Sequence, residues 1–199
     1  MNASTAAGGS HVVGLTGAPN RIRFNSEGIR HLSDAATLTM FANHIADSDN
    51  IGIDLDGNGA TPNDPNDADS GPNGLQNFPV ITAAARVAGG LSLSGTLDIG
   101  ASQGGNFRIA LYANASCDPS GFGEGERFLG SFTRALSSSA ESFQSNPFVT
   151  SDPLPPGTFI TSYVIYSRVT NLQGVVVQQW QPWQTINDGA ITNAVYTIG

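Results

Sequence analysis

The amino-acid sequence predicts an all-β protein. Glycine, serine, threonine and asparagine are abundant among the 199 residues, whereas lysine is absent and glutamate and methionine are scarce. Short runs in which apolar and polar residues alternate are separated by turns rich in Gly, Pro and Asn, as in strands joined by tight connections. About 39% of the residues are apolar, which is enough to form a buried core.

Two similar segments near the N-terminus predict the first architecture. Ile22 and Ile45 are 23 positions apart, and Gly28 and Gly52 are 24 apart, each within a short alternating run that follows an asparagine. A period in the low twenties indicates stacked rungs of a parallel β-helix, with asparagines able to stack at the corners. The alternative is an α-helix over residues 35–46 capped by Asp34, but Thr37, Thr39 and Asn43 weaken that alternative.

Longer alternating runs follow residue 78 and predict a second architecture. In Phe107–Tyr112 the odd positions are the apolar ones, which indicates a strand with one buried face. Seven such strands with turns between them predict an immunoglobulin-like β-sandwich, and a small up-and-down barrel is the alternative. The predicted strands are 91–97, 106–113, 128–135, 141–148, 158–169, 175–180 and 190–198.

The predicted organisation has three parts. Residues 1–55 form the terminal rungs of a short parallel β-helix, residues 56–77 form an acidic junction loop, and residues 78–199 form the β-sandwich. The loop is placed at the junction because it is crowded with Gly, Pro, Asn and Asp and has almost no apolar residues.

The acidic loop predicts a calcium site. Seven of the sixteen acidic residues lie between Asp47 and Asp69, and no arginine lies between Arg30 and Arg86. Carboxylates crowded into an ordered loop repel each other unless a hard cation compensates, and calcium takes six to eight oxygen ligands from carboxylates, amides and carbonyls. The predicted ligands of Ca²⁺ are Asp54, Asp56, Asn58, Asp64, Asp67 and Asp69. A solvated loop that binds no metal is the alternative.

That loop begins like an EF-hand, with Asp54, Asp56 and Asn58 at alternate positions. The twelfth position, which should be a bidentate glutamate, is Pro65. The sequence therefore predicts a calcium loop that is not an EF-hand.

Composition and spacing argue against several other functions. The formal net charge of −8 disfavours binding to nucleic acid, and no apolar run has the roughly 20 residues of a membrane-spanning helix. His11, His31 and His44 lack the spacing of zinc ligands. Cys117 is the single cysteine, so no disulfide forms within the chain. No catalytic residues are predicted, and the protein is not expected to be an enzyme.

Several segments resemble a known group of proteins. Asn20 to Pro79, ending in Gly-Pro-Asn-Gly-Leu-Gln-Asn-Phe-Pro, resembles the last rungs and exit segment of large secreted bacterial proteins with parallel β-helix repeats. Phe107 to Gly130 resembles part of the domain that follows the exit in that group. The most specific parts of the resemblance are Gly71–Pro79 and Cys117–Gly130. The resemblance covers residues 20–135. It implies an extracellular or surface-attached, adhesin-like protein.

The expected function is therefore a non-catalytic structural or adhesive module of a secreted or cell-surface bacterial protein, braced by calcium. One alternative is a module that binds or cleaves carbohydrate, with Trp180 and Trp183 stacking on a glycan. The other is a self-assembling filament subunit, since exposed strand edges can pair with a second copy. The expected partners are thus a filament neighbour or a glycan, with neither nucleic acid nor membrane insertion.

Overall fold

The computed structural model describes residues 2–3, 10–15, 17–87, 90–100, 105–116, 118–137, 141–145, 154, 158–167 and 184–185. Within these residues the protein is all-β, with fourteen strands and one 3-10 turn at Pro72–Leu75. No helix in these ranges is long and apolar enough to cross a membrane.

The strands divide into parallel and antiparallel sheets. In chain order they are β1 (Asn2–Ala3), β2 (Ser10–Val13), β3 (Arg21–Arg23), β4 (Glu27–His31), β5 (Thr37–Met40), β6 (His44–Ala46), β7 (Ile51–Leu55), β8 (Val80–Val87), β9 (Gly90–Leu97), β10 (Gly105–Asn114), β11 (Arg127–Leu136), β12 (Glu141–Gln144), β13 (Phe159–Ser167) and β14 (Gln184–Thr185).

The strands before residue 56 pair in parallel, and two of the pairs have the spacing of the sequence repeat. Ile22 in β3 pairs with Ile45 in β6, 23 positions later. β4 pairs with β7 at an offset of 24 positions, and β2 pairs with β5 at an offset of 27. At one corner the Asn20 side-chain Nδ2 donates a 2.9 Å hydrogen bond to Asn43 Oδ1. Because β5 and β6 are strands, the alternative prediction of an α-helix capped by Asp34 is wrong.

The strands after residue 79 pair antiparallel in two sheets. One sheet has the order β12-β9-β8 and the other the order β11-β10-β13-β14. β8 was not predicted, since alanines occupy the middle of its sequence. The predicted strands at 91–97, 106–113 and 128–135 are confirmed to within one residue at each end. Those at 175–180 and 190–198, with Cys117, Trp180 and Trp183, lie outside the described residues.

Strand β10 is buried on both faces. Phe107, Ile109 and Leu111 pack in the core between the two antiparallel sheets. On the opposite face, Ala110 and Tyr112 pack in a second core together with side chains of the parallel strands. The prediction of a single buried face was therefore wrong, because alternation cannot reveal that the second face, Ala110 and Tyr112, is also covered. This second core joins the parallel strands to the antiparallel sheets across the predicted junction.

Two later segments of the chain hydrogen-bond to the backbone of β5 and β6. The Asn73 side chain accepts from Leu38 N and donates to Leu38 O, both at 2.9 Å, as a neighbouring strand would. Gly125 makes the equivalent pair with Ile45, at 2.8 and 3.0 Å. An unpaired strand edge is a template for aggregation. These contacts satisfy backbone N–H and C=O groups on β5 and β6.

Candidate metal centre

The loop between β7 and β8 is held in shape by two asparagines that imitate strand pairing. Asn63 donates from Nδ2 to Phe78 O and accepts from Phe78 N, each at 2.9 Å. Asn77 accepts from Asp64 N at 2.9 Å and donates to Asp64 O at 2.7 Å. A loop with so few apolar residues needs such bonds to hold one conformation, since it buries little hydrophobic surface.

Three of the six predicted ligands converge in this loop. One carboxylate oxygen from each of Asp64, Asp67 and Asp69 lies within 4.8 Å of the other two. Asp67 is at a φ of 51° and its neighbour Asn66 at 63°, so two successive residues adopt the left-handed conformation that turns the chain. Asn and Asp tolerate this conformation better than most residues, which is why this sequence can make the turn.

Backbone and side-chain amides orient two of these carboxylates. Asp64 Oδ2 accepts hydrogen bonds from Ala68 N at 3.0 Å and from Asp69 N at 3.1 Å. Asp67 Oδ1 accepts from Asn77 N at 2.6 Å, and its Oδ2 accepts from Gln76 Nε2 at 3.2 Å. These hydrogen bonds fix the orientation of the two carboxylates before any ion binds. Less conformational entropy is therefore lost when an ion does bind.

The cluster is electrostatically unfavourable without a cation. Burial raises the pKa of Asp67 to about 6, and the carboxylates of Asp69, Asp64 and Asp98 add to the rise, while the bond from Asn77 N opposes it. Burial, and then Asp64, raise the pKa of Asp69 above its ordinary value. Neither ion pair found in the described part of the chain includes any of these residues.

One oxygen of the cluster lacks a hydrogen-bond donor. Asp69 Oδ1 is buried and has no partner among the described residues. A buried carboxylate oxygen without a donor is costly, and a cation would satisfy it. Carboxylate oxygens are ligands that Ca²⁺ prefers, and Mg²⁺, which retains its waters more strongly, is less suited to a group of three carboxylates.

The other three predicted ligands lie apart from this cluster, at the end of β7 and in the turn that follows it. Asp54 is 1% exposed, and its Oδ1 accepts from Gly57 N at 3.1 Å and Gly59 N at 3.3 Å. Burial raises the pKa of Asp54, opposed by those two bonds and by Arg30. Asp56 is exposed and accepts from Asn58 Nδ2 at 3.3 Å. None of the three belongs to the convergent carboxylate group, so metal binding by them stays a prediction.

Asn77 and Asp98 are residues that sequence reasoning missed. Asp98 Oδ2 accepts from Asn66 N at 2.9 Å, which ties the loop to the end of β9. Asn77 is held against Asp64 and Asp67 across 13 and 10 positions of sequence. The one available signal was that Asn77 lies inside the Gly71–Pro79 segment, one of the two most specific parts of the resemblance.

Comparison with known proteins adds no assignment to this geometry. No protein-family model matches the chain, and no curated protein and no solved structure matches it either.

Proposed function

We propose that the chain is a non-catalytic structural and adhesive module of a secreted or cell-surface bacterial protein, braced by calcium. In this proposal the parallel strands are two stacked rungs at the end of a short parallel β-helix. The two antiparallel sheets form an immunoglobulin-like sandwich that closes that end. The resemblance of residues 20–135 to secreted β-helix repeat proteins supports the extracellular location.

The structural role is supported by the hydrogen bonds that later segments make to the backbone of β5 and β6. Asn73 and Gly125 hydrogen-bond to the backbone of those strands from segments 35 and 80 positions away. Ser48 N adds a 2.9 Å hydrogen bond to Glu124 Oε1 beside the Gly125 pairing. A domain that caps the end of a β-helix has to cover its exposed backbone groups and stay attached to it. These hydrogen bonds cover backbone groups of β5 and β6, and the second core around Tyr112 attaches the antiparallel sheets to the parallel strands.

The calcium role is supported by where the carboxylate cluster lies. The loop connects β7, the last parallel strand, to β8, the first antiparallel one. Within it the Asn73 side chain hydrogen-bonds to β5. Asn63 and Asn77 join the part of the loop that carries the cluster to the segment just before β8. An ion bound by Asp64, Asp67 and Asp69 would remove the repulsion in this loop and thereby stabilise the whole junction.

The test is thermal unfolding of the full chain in excess calcium and in chelator, with magnesium as the matched control. We expect calcium to raise the melting temperature by roughly 5–10 °C at saturation, since an ion at about 100 times its Kd adds about 2.7 kcal/mol. Magnesium should raise it much less. Identical melting in calcium and chelator would contradict the calcium brace.

A further inference from the structure

A cavity of about 410 Å³ opens between the parallel strands β3 and β6 and the start of the antiparallel strand β11. Its size falls within the range of small-molecule sites. It is distinct from the carboxylate cluster and from every site predicted from the sequence. Its lining residues are Arg21, Arg23, His44, Ala46, Glu126, Arg127 and Phe128.

The cavity concentrates the positive charge of an acidic protein. It is lined by three of the eight arginines in a chain whose formal net charge is −8. Two carboxylates compensate part of that charge: Asp47 accepts a 2.6 Å hydrogen bond from Arg23 Nε, and Glu126 lines the cavity. Arg21 is exposed and takes part in neither ion pair of the described residues, so its guanidinium group is available to an anion. One available guanidinium group matches a monoanion better than a dianionic phosphate.

Hydrogen-bond acceptors lie beside this positive charge. Because a carbonyl oxygen only accepts, His44 Nδ1 donates to the carbonyl oxygen of Glu126 at 2.9 Å, and Nε2 is then the ring nitrogen that can accept when the ring carries one proton. The Glu126 side chain is a second acceptor, although its Oε2 already accepts from Ala115 N at 2.9 Å. Acceptors of this kind select ligands with hydroxyl donors. Phe128 and Ala46 contribute apolar wall, as sugar-binding sites commonly do.

A guanidinium group binds a carboxylate through two parallel hydrogen bonds, which makes arginine the preferred side chain for this anion. We propose that this cavity binds a sugar acid, that is, a hydroxylated monocarboxylate such as a hexuronate, free or at the end of a glycan. The arginines bind the carboxylate, and His44 with Glu126 accept hydrogen bonds from the hydroxyl groups. This inference goes beyond the structural role, because it supplies a ligand class for adhesion and needs no calcium.

The test uses two probes that differ only at one carbon, galacturonate and galactose, titrated into the full chain in chelator by ligand-observed NMR. We expect galacturonate to bind and galactose to bind at least tenfold more weakly. Arg21→Gln should weaken galacturonate binding about tenfold, as expected for the loss of a charged hydrogen bond. Arg21 is exposed and makes no ion pair with other described residues, so the variant should fold.

The matched control is Arg134→Gln, which removes the same charge from β11 outside the cavity and should leave galacturonate binding unchanged. A digalacturonate probe separates the two sources of ligand: tighter binding than the monomer indicates a glycan end, and equal binding indicates a free sugar acid. Equal affinity for galactose, no binding of galacturonate, tighter binding of inorganic phosphate, or equal losses in the two variants would each overturn the proposal.

Discussion

Asp67→Asn is expected to make the protein more stable in chelator and to abolish its stabilisation by calcium. In chelator the buried, repelled carboxylate opposes folding at neutral pH, so its neutral isostere should gain about 1 kcal/mol after allowance for solvent screening. For a chain of this size that gain raises the melting temperature by about 2–4 °C. In saturating calcium the order should reverse, because the variant lacks a ligand.

Asp56→Asn is the matched control for that substitution. It removes the same charge from the same loop, at an exposed residue outside the carboxylate group and at a φ of 77° that Asn tolerates. We expect Asp56→Asn to keep the full calcium response. Loss of the response in both variants would instead favour a site that includes the turn after β7, as the sequence alone predicts.

The pH dependence of Asp67 has a definite sign. Its folded pKa of about 6 lies above the ordinary value of 3.8, so the folded state binds the proton more tightly than the unfolded state. In chelator this carboxyl therefore adds stability below pH 3.8, and that contribution is lost as the pH rises from 3.8 to 6. The difference in stability between wild type and Asp67→Asn should change across that window. A constant difference would contradict the burial of this group.

Gly28→Ala is expected to be the most damaging substitution in the parallel strands. A β-carbon on Gly28 would lie 2.4 Å from Gly52 O and 2.4 Å from the Ile45 side chain. The carbonyl belongs to the backbone of the adjacent strand β7, so it cannot move without breaking the parallel pairing. We expect a loss of about 3 kcal/mol in the free energy of unfolding, measured by urea denaturation.

Gly17→Ala separates this clash from simple backbone strain. Gly17 has a φ of 85°, but an added β-carbon would meet no heavy atom within 4 Å. It should therefore cost only the strain of the left-handed conformation, about 1–2 kcal/mol. If Gly28→Ala proved no more destabilising than Gly17→Ala, that result would contradict the close approach of β4 and β7 at Gly28.

The parts of the fold that were predictable follow from local periodicity. The repeat linking Ile22 to Ile45 predicts the register of β3 and β6, since a repeat length and a pairing offset are the same quantity in stacked rungs. Alternation in residues 106–113 predicts β10. The contacts that close β5 and β6 were not predictable, because each joins a side chain or glycine to a backbone 35 or 80 positions away.

The candidate site was predictable in composition but not in grouping. Counting acids identified the loop, yet the count treats Asp54 and Asp67 as equivalent. Turn geometry distinguishes them: Asp54 accepts backbone amides within five residues of itself, while successive left-handed residues bring Asp67 against Asp64 and Asp69. The arginine-lined cavity had no sequence signal, since its walls come from three strands that are distant along the chain.

The central claim is that calcium binds at Asp64, Asp67 and Asp69, and calorimetric titration of Ca²⁺ into metal-stripped protein tests it most directly. We predict one ion bound per wild-type chain, retained in Asp56→Asn and lost in Asp67→Asn. Absence of binding heat in the wild type at several temperatures, or unchanged one-to-one binding in Asp67→Asn, would contradict it.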